Sequence, residues 1–97
     1  MRTHEASLRD VPAIRRTLGA NIRSTRKRAG LTQVGLERKS YVPRTTISKL
    51  ERGEQEAQIS TLAQFAVAMR VPLMTFLEGL DDVAADAIYE AGRSVRA

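Results

Sequence analysis

The 97 residues contain no cysteine and a single histidine. The first absence excludes disulfides and thiolate metal sites and points to a reducing compartment, the cytoplasm. The second leaves His4, in a polar N-terminal stretch, as the one imidazole, so a histidine-based metal or catalytic centre is not expected. No apolar run approaches the roughly 20 residues that a bilayer-spanning helix requires. The first residues also lack the apolar core of a secretory signal. Ser7, Ser24 and Ser48 have no histidine or lysine at a spacing that would activate a hydroxyl, which argues against hydrolase chemistry. Asp81, Asp82, Asp86 and Glu90 lack the glycine-containing loop used by hard-cation sites and read as a solvated helix face. No enzyme activity, metal, cofactor or small-molecule ligand is therefore expected. Alternating strand-type hydropathy is missing as well, which leaves helix as the regular structure.

What the sequence does contain is positive charge, unevenly placed. Net charge is +5, and residues 1–53 hold 13 basic against 4 acidic side chains, a balance of +9. Residues 54–97 hold 3 basic against 7 acidic side chains, a balance of −4. A basic half beside an acidic half suits a protein that turns one surface toward a polyanion. A chain of this length forms one compact domain with a marginal core, so a partner subunit would help its stability.

The apolar spacing divides the chain into short helices. Residues 1–12 read as a flexible arm. Val11, Ile14, Leu18, Ile22 and Ala29 form the stripe of a first helix, with Pro12 tolerated in its first turn. Gly19 weakens that helix by roughly 1 kcal/mol, so its effective start is expected near there. Gly30 ends it, after the basic run Arg26, Lys27 and Arg28. Thr32 is the expected N-cap of a second helix, Gln33 to about Ser40, which buries Val34 or Leu36. Tyr41 and Val42 make a turn, and Pro43 opens a third helix anchored by Ile47 and Leu50 and stopped by Gly53. In the fourth helix, "ISTLAQFAVAM", the buried stripe is Ile59, Leu62, Phe65, Ala66 and Met69, with Ser60 as a cap. Pro72 opens a short helix with Leu73, Phe76 and Leu77 inward, and Gly79 breaks it. A last amphipathic helix follows over 79–97, acidic at its start.

Two short helices joined by a tight turn, the second polar on one side, make a helix-turn-helix. The stretches "LGANIRSTRKRAGLTQ", "TTISKLERG" and "ISTLAQFAVAMRVPLMTFL" carry a closer likeness. From Leu18 to Leu77 the chain resembles the Cro/phage-repressor, or Xre-type, helix-turn-helix superfamily. The resemblance implies an all-α, five-helix lambda-repressor-like domain over residues 13–78, plus the C-terminal helix. It also implies binding to double-stranded DNA, with the third helix lying in the major groove. Arg44, Thr45, Thr46 and Lys49 would then meet base edges: Arg44 forking onto guanine, a threonine against thymine, Lys49 on guanine or phosphate. Thr32, Gln33, Tyr41, Pro43, Ser48 and Arg52 would lie along the phosphates. Arg26 and Glu51 occupy positions where the family commonly forms an internal ion pair. Three positions depart from the pattern: Glu37 replaces a small residue, Tyr41 replaces the glycine of the turn, and Ala57 replaces a proline.

The C-terminal helix needs somewhere to bury its Ala-rich stripe. Its own core is one place for that stripe; a twin subunit is the preferred one, through Leu80, Ala84, Ala87, Ile88 and Ala91, because such proteins read paired half-sites about 34 Å apart. Its acidic character argues against a membrane surface. The sequence thus reads as a homodimeric transcriptional regulator on a palindromic operator. "PRTTISKLERG" is similar to controller proteins of restriction–modification systems, which regulate their own operon. The competing reading is an antitoxin or other helical interaction module in which DNA binding is secondary or lost.

Overall fold

The structure is a computed structural model and describes residues 12–87. Of the arm expected over residues 1–12, Pro12 opens the first helix, and residues 1–11, His4 and Val11 among them, lie outside the described residues, as do Ile88 and Ala91. Four α-helices and one 3-10 helix succeed one another: α1 Pro12–Arg28, α2 Gln33–Ser40, α3 Arg44–Glu51, α4 Ile59–Met69 and the 3-10 helix Leu73–Leu77. Residues 80–87 are helical too, and no strand occurs among the described residues. The all-α expectation holds, and the short helix after Pro72 is of the tighter 3-10 kind.

The core is assembled from one or two side chains per helix. Leu18 and Ile22 of α1 meet Leu36 of α2, Ile47 and Leu50 of α3, and Leu62, Phe65, Ala66 and Met69 of α4. Phe76 closes the core from the 3-10 helix, its ring edge-on to Phe65 with centroids 6.4 Å apart. Each large apolar side chain fully removed from water contributes about 1.5–3 kcal/mol, which is how helices of eight residues hold together here. Asn21 adds a polar stitch: its Nδ2 donates to the carbonyls of Phe76 and Glu78, both at 2.9 Å, and ties the end of the 3-10 helix to α1.

Several expectations are corrected, one open alternative is decided, and three residues expected at a subunit contact are located within their own chain. The helix does not begin near Gly19; α1 runs unbroken from Pro12 and buries Gly19 against the end of α3. Leu36, not Val34, is the buried residue of α2, because two residues on a helix are about 200° apart and Leu36 shares its face with Ser40. Ile59 is 65 % exposed. Helical side chains lean back over the preceding turn, and the first residue of α4 has no preceding turn to cover. Leu77 is exposed because a 3-10 helix repeats every three residues, which aligns Leu73 with Phe76 and turns Leu77 away. Gln58 rather than Ser60 is the N-cap of α4, and it makes no side-chain capping bond. Leu80, expected at a subunit contact, is partly buried against its own core, while Ala84 and Ala87 are half-buried.

Candidate nucleic-acid interface

Capping chemistry sets the place of α2. Thr32 takes an extended backbone conformation, and its hydroxyl accepts from the Gly35 N–H at 2.9 Å. Gln33 therefore starts the helix, and the N-terminal end of α2, with its partial positive charge, opens outward beside it. At the other end Tyr41 sits at φ 64°, ψ 20°, the left-handed region, and donates its N–H to the Glu37 carbonyl at 2.8 Å. The Ser40 hydroxyl accepts from Val42 at 3.2 Å, and Gln64 of α4 donates to the Ser40 carbonyl at 3.0 Å. The turn is thereby held by polar bonds where the family has glycine.

A left-handed tyrosine costs roughly 1–2 kcal/mol, part of which glycine would give back through the unfolded chain. Tyr41 is 87 % exposed, so little packing is at stake. Tyr41→Gly should accordingly stabilise the protein by up to about 1 kcal/mol, read as a higher urea midpoint at unchanged slope.

Pro43 is the N-cap of α3 and has no side-chain capping bond. Proline has no N–H to donate, so the contact expected between Pro43 and the DNA backbone would be apolar. The acceptor for the first turn comes from elsewhere: the Glu37 carboxylate accepts the Arg44 N–H at 3.0 Å. Glu37 is only half-buried, so a carboxylate in place of the family's small residue carries no large desolvation cost. At its other end α3 closes with Gly53 N–H to the Leu50 carbonyl at 3.0 Å and Glu54 N–H to the Lys49 carbonyl at 2.9 Å. That motif needs a left-handed residue, and Gly53 supplies it at φ 72° while its backbone lies against Arg16 of α1.

The helix so placed has two unlike sides. Ile47, Leu50 and the Glu51 side chain point inward. Arg44, Thr45, Ser48, Lys49 and Arg52, spaced i, i+1, i+4, i+5 and i+8, share the outer side and line a shallow groove of about 190 Å³. Thr46 does not join them. It lines a second groove, of about 280 Å³, with Tyr41, Pro43 and residues of α4 and the loop before it. Gln55, Gln58, Thr61 and Gln64 border that second groove, and no sequence motif marked them.

Two ion pairs flank α3 and differ in kind. Arg26 Nε meets Glu51 Oε2 at 2.7 Å, Arg26 Nη2 meets Oε1 at 3.0 Å, and Nη1 donates to the Leu31 carbonyl at 2.8 Å. The side chains are 9 % and 4 % exposed. The bond to Glu51 raises the Arg26 pKa above its ordinary value, against the opposing effect of burial. Gln33 Nε2 also donates to Glu51 at 3.2 Å, so the residue at the head of α2 is braced on α3. The second pair is at the surface: Arg52 meets Glu54 through Nε at 2.8 Å and Nη2 at 3.0 Å, and donates through Nη1 to the Ser48 hydroxyl. The shared hydrogen bond raises the Arg52 pKa and lowers that of Glu54. Arg52 and Ser48, both expected on phosphates, are thus engaged with one another and with an anion of the same chain.

The comparisons with known proteins agree with this geometry. The helix-turn-helix family model matches residues 22–76. Two crystal structures of the clp gene regulator ClgR from Corynebacterium glutamicum are similar to the chain. One has a TM-score of 0.62 at 30 % identity, covering 84 % of this chain and 83 % of its own. The other has a TM-score of 0.59 at 32 % identity, covering 84 % of this chain and 91 % of its own. Among curated protein sequences none matches at a significant level. Among the described residues no helix is long and apolar enough to cross a membrane. With an outward, cationic α3 on a braced helix pair and the family match over the same residues, the chain belongs to the Xre/Cro-type helix-turn-helix superfamily of DNA-binding transcriptional regulators.

Proposed function

We propose that the chain acts as a homodimer on a partly palindromic operator, each subunit laying α3 in a major groove. The observation that carries this reading is the outer side of α3, where two cations and two hydroxyls surround Arg44 with no apolar side chain among them. Arg44 and Thr45, in the first turn, read base edges, and Lys49 extends the readout one turn further. Thr46, turned toward Tyr41, belongs with the backbone contacts rather than with the base-reading set. Thr32 and Gln33 at the head of α2 hold a phosphate, the threonine hydroxyl keeping its proton to donate while it accepts from Gly35. Arg52 reaches phosphate by sharing or leaving its bonds to Glu54, and Ser48 through a hydroxyl that accepts from Arg52 and can still donate its proton.

Dimerisation proceeds through the helix that begins at Leu80, with Ala84 and Ala87 toward the twin subunit. Autoregulation of a restriction–modification operon is part of the same proposal, resting on the likeness of "PRTTISKLERG". Regulation then follows protein concentration and operator arrangement.

The test is a selection of bound sites from random duplex DNA with the purified protein, followed by Arg44→Ala on the selected site. The substitution should weaken binding by about 1–3 kcal/mol and relax the preference at one base pair of each half-site. A selected site repeated in the gene's own promoter supports autoregulation, and a site without two-fold symmetry removes the dimer. Wild-type protein with no DNA affinity, or a site indifferent to Arg44, would return the reading to a protein-interaction module.

A further inference from the structure

We propose that Glu37 is a specificity-determining positioning residue of the DNA-binding face: its carboxylate occupies the anion-attracting end of α3 and keeps DNA phosphates from docking there. The inference rests on the reading of α3 as the helix that meets DNA. The N-terminal end of any helix exposes backbone N–H groups and partial positive charge, an attractive place for a phosphate. In α3 that end is also the one that carries Arg44 and Thr45. Pro43 offers no side-chain acceptor, so the end would stand open without help from another element.

Glu37 provides that help from α2. Its backbone carbonyl accepts from Tyr41 at 2.8 Å and its carboxylate accepts from Arg44 at 3.0 Å. One residue therefore grips the turn on both sides, fixing the angle between α2 and α3 and the direction in which the first turn of α3 faces. The charge does something a neutral cap would not. Phosphates occur at every step of every duplex, so a helix end that accepts them gives binding without sequence preference. With a carboxylate already seated there, that mode is repelled. The first turn then gains affinity mainly through side chains that reach base edges.

The charge and the hydrogen bond separate cleanly by substitution. Glu37→Gln keeps an acceptor of the same shape for the Arg44 N–H and removes the charge. Glu37→Ala removes both. Each variant, with wild type and Arg44→Ala, is titrated onto the selected site and onto an unrelated duplex across a series of salt concentrations. Thermal unfolding of each protein runs alongside.

Glu37→Gln should melt close to wild type, bind the unrelated duplex about threefold to tenfold more tightly, and steepen the dependence of log affinity on log salt by about 1. Its affinity for the selected site should rise less, so the ratio of specific to non-specific binding falls. Glu37→Ala should lower that ratio at least as far and also melt lower. A cap with no role beyond the fold would lower the melting temperature of the alanine variant and leave the ratio and salt slope of the glutamine variant as in wild type. That result, with Arg44→Ala still losing site preference, overturns the inference while the DNA-reading role of α3 stands. Wild type without site preference, or Arg44→Ala retaining it, overturns the role of α3 itself and the inference with it. Should Glu37→Ala fail to fold, Glu37→Gln decides alone.

Discussion

Glu51→Ala should destabilise the protein by about 3–5 kcal/mol, enough to leave little of it folded if the domain has the marginal stability usual for its size. The magnitude comes from what is left behind. Arg26 is 9 % exposed at its side chain and makes two of its three bonds to Glu51, at 2.7 and 3.0 Å. Without the carboxylate, a guanidinium that does not deprotonate in working buffers remains buried with only the Leu31 carbonyl as partner. Gln33 loses its acceptor in the same step.

The pair is nevertheless not the cheapest way to fill that space. Desolvating two charges offsets most of their attraction, so a shape-matched apolar replacement of both is tolerated far better than removal of one. Arg26→Met combined with Glu51→Met should therefore be more stable than either single variant, a coupling that urea unfolding of the four proteins measures directly. Alkaline pH offers no substitute for the mutation. The Arg26 pKa is raised in the folded protein, so its contribution is fully present below the ordinary arginine value and fades only above it. A single variant within about 1 kcal/mol of wild type would mean that the pair is solvated and that α3 is held by apolar contacts alone.

The pair also shows how much of this molecule could be read from its sequence. Arg26 and Glu51 came from a family likeness, since nothing in spacing alone joins residues 25 apart. The bounds of α2 follow from local chemistry, a threonine before the first turn and a turn after Ser40, and the buried face of α4 from its stripe of Leu62, Phe65, Ala66 and Met69. The inward anchors Ile47 and Leu50 follow in the same way, as does the exposure of Arg44, Thr45 and Lys49.

What periodicity hides is the width of a buried face and any bond whose partner is set by the fold. Ile59 fits the stripe of α4 and still lies outside the core, because as the first residue of the helix it has no preceding turn to lean over. Thr46 sits one residue from Thr45 and one side of α3 away from it. Asn21 reads as an ordinary polar helix residue until the end of the 3-10 helix folds back onto it. Glu37 looks like a misplaced charge until the turn brings Arg44 round to it. Arg52 and Glu54 stand two apart in sequence, yet only the closing turn at Gly53 sets guanidinium and carboxylate face to face.

Gly19 is where local reasoning gives the wrong sign. In an exposed helix, glycine to alanine is stabilising by about 1 kcal/mol, since alanine has less freedom to lose. At this position a β-carbon would overlap the Leu50 carbonyl oxygen and stand 2.8 Å from that of Glu51. Both obstacles are backbone, and both belong to the last turn of α3, so neither can swing aside as a side chain could. Gly19→Ala must push α1 and α3 apart, at a cost of about 3 kcal/mol, the upper part of the range for overpacking. For a domain this small that lowers the melting temperature by about 12–24 °C. Gly35→Ala is the control: within α2 its β-carbon meets nothing closer than 3.3 Å, and stability should stay within about 1 kcal/mol of wild type. The same displacement bears on function, because the carbonyls that Gly19 touches lie beside Glu51, and through Glu51 beside Arg26 and Gln33. A moved α3 loses the brace that sets its outer side, so whatever Gly19→Ala protein remains folded should bind the selected site more weakly than its folded fraction accounts for. Equal stability in the Gly19 and Gly35 variants would mean that α1 and α3 are not in backbone contact, and that the groove-facing side of α3 is positioned by Ile47 and Leu50 alone.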